Sequence, residues 1–249
     1  MLVNFKSCAV MDVQNDQAYS VAATSNGSAE FDELRRAVAN TFDVVSTSYS
    51  FGAIQLDVIS LRDPDTLLDE ATLNAAHSDM AWHPYWGKLW DSAIGLASIL
   101  ADQDLTGRDV LDLGCGLGIT GTVAAARGAQ VVLADHAPPA LDFARLNSWP
   151  WRERVEVTFV DWRKSDLGRK FDFIVGADIV YDRHDIPFLD QFWKQHLKPG
   201  GTILLTDPAR LMTLDLMPLI QAADWNIHRQ PLTTRLLSKP INVFTLRLA

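Results

Sequence analysis

The spacing of hydrophobic and polar residues changes along this chain, and each pattern predicts an element. Apolar residues recur every three or four positions in 30–41, which predicts a helix. Around 54–58 they alternate with polar residues, which predicts a half-buried strand that forms a hairpin with 44–48. The stretch 22–29 is rich in Ser, Ala and Gly and predicts a loop. The first part of the chain is therefore expected to be an arm of one helix and one hairpin.

From Pro84 the spacing is helical up to about Ala101, and short apolar runs then alternate with helical stretches. Strands are predicted at 109–113, 130–135, 155–160, 171–176, 202–206, 225–229 and 242–248. Helices are predicted at about 119–127, 138–147, 187–196 and 214–223. Such alternation is typical of a mostly parallel sheet with helices on both faces. No long helix separates the last two strands, so they are expected to pair as an antiparallel hairpin.

These elements together predict an α/β fold. We expect a Rossmann-like, open and mostly parallel sheet of seven strands with a C-terminal antiparallel hairpin, preceded by the β-hairpin and helix arm. Residues 1–83 are expected to be an N-terminal extension and β arm without independent stability. Residues 84–249 are expected to form the α/β domain, because the strand–helix alternation lies within them.

Composition narrows the range of partners. The chain has 249 residues, a formal net charge of −9 and a pI near 5.0. Proteins that bind a nucleic-acid backbone usually cluster Lys and Arg, so the acidic balance argues against a nucleic-acid partner. It weakly favours basic or neutral substrates. The N-terminus lacks the apolar core of a signal peptide, and no stretch reaches the roughly 18 apolar residues of a membrane span. We therefore expect no contact with a membrane.

The cysteines and histidines indicate neither a disulfide scaffold nor a metal site. Cys8 and Cys115 are too few for a disulfide framework and are interpreted as reduced thiols of a cytoplasmic protein. The six histidines do not have the spacing of metal ligands with each other or with cysteine. We therefore predict no metal.

The strongest candidate for chemistry is the segment 110–118, in which a short apolar strand runs into alternating glycines and then a helix. Glycine allows a tight turn and a close approach to a ligand. In open α/β sheets ligands bind beyond the carboxyl ends of the strands, so this turn is expected to hold a cofactor. The glycines also fit the dinucleotide pattern, which leaves a nicotinamide-dependent dehydrogenase as an alternative. Asp112 argues against that alternative, because a carboxylate in the strand end can hold an ammonium group.

Two further strands end in candidate cofactor contacts. Asp135, about 20 residues past the glycines, can accept hydrogen bonds from both ribose hydroxyls, although it could instead cap the helix that begins at Pro138. Asp161 can accept from an adenine amino group, and the Trp162 indole offers a flat apolar surface for the ring. The alternative for Trp162 is core packing.

Asp178 and Tyr181 follow the buried strand 171–176, three residues apart, and are expected to face the cleft. Their alternative roles are a helix cap and a loop hydrogen bond. The tryptophans at 82, 86 and 90 have helical spacing, which fits either the core or a cofactor lid. Residues 197–201 are interpreted as a structural turn.

Residues 110–118, 131–135, 171–182 and 197–201 resemble the motifs of class I, seven-β-strand S-adenosylmethionine-dependent methyltransferases. The stretches 84–100, 161–163 and 177–182 are similar to the lysine methyltransferase and nicotinamide N-methyltransferase-like family. The sequence lacks the NPPY-type tetrapeptide of amide and adenine N-methyltransferases, which argues against DNA adenine or glutamine as acceptor.

The resemblance implies S-adenosyl-L-methionine as cofactor, S-adenosyl-L-homocysteine as product and N-methylation of a protein lysine. It makes 84–249 the catalytic domain and places Asp178 and Tyr181 near the methyl donor and acceptor. The expected cofactor-binding set is Trp86, Trp90, Asp112, Gly114, Gly116, Gly118, Asp135, His136, Asp161, Trp162 and Ala177.

Two alternatives stay open at this point. A small-molecule N- or O-methyltransferase would need a lid, for which the first 45 residues and the loop 231–240 are candidates. A non-catalytic scaffold on the same fold would be expected to have lost Asp112, the glycines or Asp135, and all of these are present.

Overall fold

The computed structural model describes residues 14–17, 29–66, 84–208 and 210–249. The arm is a three-stranded antiparallel sheet in the order β1-β2-β3, accompanied by one helix. Its elements are β1 (Gln14–Gln17), α1 (Ala29–Thr41), β2 (Val44–Phe51) and β3 (Ile54–Leu61). The predicted helix and hairpin are confirmed. Strand β1 was not predicted, because its four polar residues carry no alternation and pair with β2 through the backbone.

The second sheet has seven strands in the order β6-β5-β4-β7-β8-β10-β9. Its elements are α2 (Asp91–Ala101), β4 (Asp109–Leu113), α3 (Ile119–Ala126), β5 (Gln130–Asp135), α4 (Pro138–Ser148), β6 (Val155–Phe159), β7 (Phe171–Ala177), α5 (Ile186–His196), β8 (Leu197–Asp207), α6 (Leu211–Gln221), β9 (Trp225–Leu232) and β10 (Ile241–Leu248). The first five strands of this order are parallel, and β10 runs antiparallel to both of its neighbours. The predicted fold class and the C-terminal hairpin are confirmed.

The continuous helix predicted from Pro84 to Ala101 is wrong. Pro84–Gly87 forms a 3₁₀ turn, and α2 begins only at Asp91, because Trp90 has an extended backbone (φ −86°, ψ 145°). A Cβ at Gly87 would lie 2.3 Å from Leu61 Cδ1, so the turn packs too closely on β3 to accept a larger residue. Helical spacing alone did not reveal this break at Trp90.

Residues 197–201 were expected to be a turn and instead open β8, which is a correction. Leu197 pairs with Phe171, and the register shifts before Phe173 pairs with Thr202. Gly200 takes a left-handed backbone (φ +75°), which lets the strand absorb the irregularity without ending. In the predicted loop 22–29, residues 22–28 lie outside the described residues, and Ala29 opens α1.

A buried asparagine joins the arm to the main sheet. The side-chain amide of Asn147 in α4 donates to Ile59 O (3.0 Å) and to Leu117 O (2.9 Å), and its Oδ1 accepts from Ile59 N (2.8 Å). The Phe31 ring of α1 lies 5.3 Å from the Trp149 ring, measured between centroids. The described part of the arm thus packs on α4 and on the glycine turn, and the statement that 1–83 is not an independent domain stays a prediction.

Across the described part of the chain, no helix has the length and apolar character required to cross a membrane.

Candidate functional site

The carboxyl ends of β4, β5, β7 and β8 lie at one edge of the sheet, and the glycine turn follows β4 there. Gly114, Gly116 and Gly118 have φ of 66°, 51° and 76°, a region that L side chains rarely adopt. A Cβ at Gly114 would lie 2.7 Å from Ile179 Cγ2, and one at Gly116 would lie 3.3 Å from Trp86 O. A side chain at either position would crowd these neighbours, so both the backbone conformation and the close packing of the turn favour glycine.

Asp135 fixes the shape of this turn. Its Oδ2 accepts from Gly116 N at 2.8 Å, and its Oδ1 accepts from Ala137 N at 2.9 Å. The second bond ties the carboxylate to the residue before α4, so the capping alternative describes part of its role. Burial raises the pKa of this carboxyl, although both backbone hydrogen bonds favour its ionised form. Each oxygen keeps a further lone pair with which it could accept a hydroxyl.

Asp112 lies deeper than the sequence suggested. It is buried within β4, and its Oδ2 accepts from Gly121 N in α3 at 2.8 Å. Burial, followed by the neighbouring charge of Asp135, raises its pKa to about 7. The carboxyl therefore joins β4 to α3 behind the glycines, and its contact with a cofactor ammonium group stays a proposal.

Trp162 and His136 lie beside the glycine turn. Trp162 Cζ3 is 3.9 Å from the position that a Cβ on Gly114 would take, and the His136 and Trp162 rings are 6.0 Å apart between centroids. His136 Nδ1 is 3.5 Å from Asp135 Oδ1. The structure thus brings two predicted aromatic contacts to the turn.

Asp161 already has partners close by. Its Oδ1 accepts from Arg163 N at 3.0 Å, and its Oδ2 lies 3.3 Å from Lys164 Nζ. An adenine amino group would have to share this carboxylate with both residues, so the predicted adenine contact of Asp161 stays a proposal.

The two described tryptophans of the predicted stripe have different surroundings, and Trp82 lies outside the described residues. The Trp86 ring packs against Phe42 and Phe143 at centroid distances of 5.6 and 5.5 Å, so its ring joins the core while its backbone borders Gly116. Trp90 Nε1 donates to Tyr85 O at 2.9 Å. The core alternative therefore fits the Trp86 ring.

Ala177 ends β7, and Asp178 follows it with a left-handed backbone (φ 62°) that is uncommon for a residue other than glycine. The Asp178 N–H donates to Thr206 O at 2.8 Å, which holds this conformation. The Tyr181 side chain is partly exposed, and burial of its inner part raises the pKa of the phenol. Both residues lie at the same sheet edge as the glycine turn, as predicted.

Arg210 is the site residue that the sequence reasoning missed. Its guanidinium forms an ion pair with the Asp178 carboxylate. The available signal was a basic residue three positions after Asp207, the acid that ends β8. Since β8 is the parallel neighbour of β7, residues just beyond both carboxyl ends lie close together.

The loop between β9 and β10 is fastened to the domain. Ser238 N donates to Asp91 Oδ2 at 3.0 Å, and the Ser238 hydroxyl contacts the same oxygen. Leu236 and Leu237 pack against the core. This loop, a candidate lid in the sequence, is thus anchored at the first residue of α2. Among the residues that the structure describes, no three His, Cys, Asp or Glu side chains are grouped as a metal site would require.

A family model described as lysine methyltransferase matches residues 69–213, which is more than half of the chain. This chain belongs to the lysine methyltransferase family. The matched region runs from before the 3₁₀ turn to the start of α6 and includes the glycine turn, Asp135, Asp178 and Arg210.

Two relatives of known name are similar to this chain over part of their length. Protein N-lysine methyltransferase METTL21A of Danio rerio is 38% identical over 127 residues, which are 47% of this chain and 57% of that protein. The electron transfer flavoprotein beta subunit lysine methyltransferase of Xenopus laevis is 32% identical over 163 residues, 62% of each chain. The chain thus matches less than two thirds of the length of each of these relatives.

The glycopeptide N-methyltransferase MtfA, solved with S-adenosyl-L-methionine, superposes with a TM-score of 0.54. It is 15% identical, and the match covers 64% of this chain and 95% of that structure. At this identity the likeness concerns the fold, and it supports the Rossmann-like architecture of this family member.

Proposed function

We propose that this chain is an S-adenosylmethionine-dependent methyltransferase that transfers a methyl group to the side-chain nitrogen of a protein lysine. One observation carries the proposal. In a chain of the lysine methyltransferase family, the glycine turn held by Asp135 lies at the same sheet edge as Asp178 and Tyr181. A cofactor site and an acceptor site thereby adjoin.

The residues around the turn suit an adenosine-containing cofactor. The remaining lone pairs of Asp135 can accept the ribose hydroxyls, and the Trp162 indole can lie against an adenine ring. Asp112 can favour the amino group of the methionine part, since a nearby cation stabilises its ionised form. When bound, S-adenosylmethionine supplies an activated methyl group, so the protein mainly has to align the acceptor.

The acceptor lysine has to lose its proton to solvent before it can attack. Its ordinary pKa is about 10.4, so forming the neutral amine at pH 7 costs about 4.6 kcal/mol. Desolvation in the cleft lowers that cost. Asp178 can then accept a hydrogen bond from the amine and orient its lone pair, and Tyr181 can lie along the lysine side chain.

Two arguments favour a protein acceptor over a small molecule. The relatives named above are protein lysine methyltransferases. The loop after β9 is fastened to α2 and is poorly suited to close over a small substrate. A cytoplasmic location stays a prediction that rests on the two cysteines.

Methyl-tritiated S-adenosylmethionine and a cell lysate test the proposal. We expect label in the protein fraction, with label confined to small molecules as the contrary result. Asp135→Ala should abolish most incorporation, whereas Asp142→Ala, which removes a carboxylate exposed on α4, should not. Calorimetry completes the test: S-adenosylhomocysteine should bind and NAD should not, while tight binding of NAD alone would favour a dehydrogenase.

A further inference from the structure

Arg210 follows β8 and lies beside the loop that follows β7. It contacts Asp178 of that loop and Asp207, the last residue of β8. Its guanidinium pairs with Asp178 Oδ1, and its Nε lies 4.0 Å from Asp207 Oδ2. The Asp178 side chain is only 8% exposed, whereas that of Arg210 is 38% exposed. The carboxylate proposed to orient the acceptor therefore already has a cationic partner.

The surrounding hydrogen bonds keep Arg210 in this position. Its backbone N–H donates to Asp207 Oδ1 at 2.9 Å. Asp207 is buried, and its Oδ2 accepts from the Thr213 hydroxyl at 2.6 Å. The same hydroxyl lies 3.4 Å from Val180 O, in the loop after β7. Because both loops hold the arginine, its guanidinium is expected to stay beside Asp178 when an acceptor arrives.

An isolated carboxylate at this place would oppose the reaction. A negative charge next to a lysine stabilises the ammonium ion, which has no lone pair with which to attack. A fixed positive charge beside the carboxylate reduces that effect, and the second carboxylate oxygen can accept a hydrogen bond from the amine. Burial lowers the pKa of Arg210, but an arginine remains protonated at neutral pH.

We propose that Arg210 is a positioning residue that offsets the charge of Asp178, so that the pair orients the neutral amine of an acceptor lysine and does not retain its ammonium ion. This inference rests on the proposed function. Other groups also face the pair. Asp207 shares the guanidinium, and Tyr85 interacts electrostatically with both Arg210 and Tyr181.

Further from the pair, Tyr181 also interacts with Asp135, Asp185 and Arg163, and the last two form an ion pair of their own. None of these side chains is altered in the Arg210 variants, and wild type and variants share them. A change in the pH dependence of the Arg210 variants can therefore be assigned to the lost guanidinium.

The test is the pH profile of methyl transfer in single-turnover reactions. Enzyme and methyl-tritiated S-adenosylmethionine are in excess over the lysate proteins that take up label, so the rate constant describes the bound complex. In Arg210→Met the acidic limb should move about one pH unit upward, as expected for a unit charge about 6 Å away at an effective dielectric constant of about 40. The rate near neutral pH should fall about tenfold and recover at alkaline pH, and Arg210→Lys should keep the wild-type midpoint.

A double variant makes the test independent of packing. With Asp178→Asn and Arg210→Met combined, neither charge remains, and the midpoint should return toward the wild-type value although the rate is lower. Arg247→Met removes an arginine near Thr202, at the opposite edge of the sheet, and should leave the profile unchanged. S-Adenosylhomocysteine affinity and melting temperature are measured for every variant.

A loss in Arg210→Met that is equal at all pH values, or an unchanged profile, would overturn the inference and leave the proposed function intact. Absence of label with the wild-type protein at every pH would instead overturn the proposed function and this inference with it.

Discussion

Asp112→Asn is expected to stabilise the protein above neutral pH. The Asp112 side chain is 1% exposed, and its Oδ2 accepts from Gly121 N at 2.8 Å. An asparagine Oδ1 can accept the same hydrogen bond, so the substitution mainly removes a buried charge. It tests whether burial dominates the electrostatics of this strand end.

The size of the effect follows from the pKa. Burial raises the Asp112 pKa from 3.8 to about 7. Between pH 3.8 and pH 7 the Asp112 carboxyl is protonated in the native protein and ionised in the unfolded chain. The free energy of unfolding therefore falls as the pH rises through this range, by about 1.4 kcal/mol per pH unit. Across the whole window the contribution reaches about 4 kcal/mol.

Urea unfolding, followed by tryptophan fluorescence from pH 4.5 to pH 8.5, measures this difference. The unfolding free energy of Asp112→Asn minus that of wild type should grow by about 3 kcal/mol between pH 4.5 and pH 8.5 and level off above pH 7. A constant difference for Asp112→Asn would refute the idea that the buried carboxyl holds a proton.

Three other substitutions test separate parts of the structure. Asp135→Ala should weaken S-adenosylhomocysteine binding by about 1.5–3 kcal/mol in calorimetry, and unchanged affinity would leave Asp135 as a fastener of the turn alone. Asp178→Asn and Tyr181→Phe should each lower kcat about 100-fold while changing cofactor affinity little; a drop in melting temperature with normal activity of the folded fraction would indicate a structural role. Asn147→Ala leaves three buried backbone groups of β3 and the glycine turn without partners, so thermal unfolding should show a loss of about 2–4 kcal/mol, whereas wild-type stability would mean that the arm docks by apolar packing.

The sequence predicted the elements whose signal is local. Strands such as 109–113 and 130–135 are short apolar runs between turns, and the structure begins and ends them at the same residues. The glycine turn was predictable because its backbone requires glycine at several positions. Features without such a local signal were not predicted, and the break of the helix at Trp90, whose backbone is extended, is one of them.

In the candidate site, too, the positions of some residues follow from the local sequence, whereas other features depend on contacts between distant segments. The positions of Asp135 and Asp178 follow from where strands end, and both lie at the expected sheet edge. The depth of Asp112 depends on a hydrogen bond to α3, and the pairing of Arg210 with Asp178 depends on two loops meeting. The sequence indicated Asp112 but not its hydrogen bond to α3, and it did not indicate Arg210, whose position three residues after Asp207 was only a weak signal.

The central claim is that the chain methylates lysine, and the chemical form of the transferred label tests it most directly. Proteins labelled with methyl-tritiated S-adenosylmethionine are hydrolysed in acid, and the amino acids are separated by chromatography against methylated standards. We expect the counts to co-migrate with mono-, di- or trimethyllysine and to disappear with Asp135→Ala. Counts in methylarginine, methylhistidine or volatile methanol from esters, with none in the methyllysines, would contradict the claim.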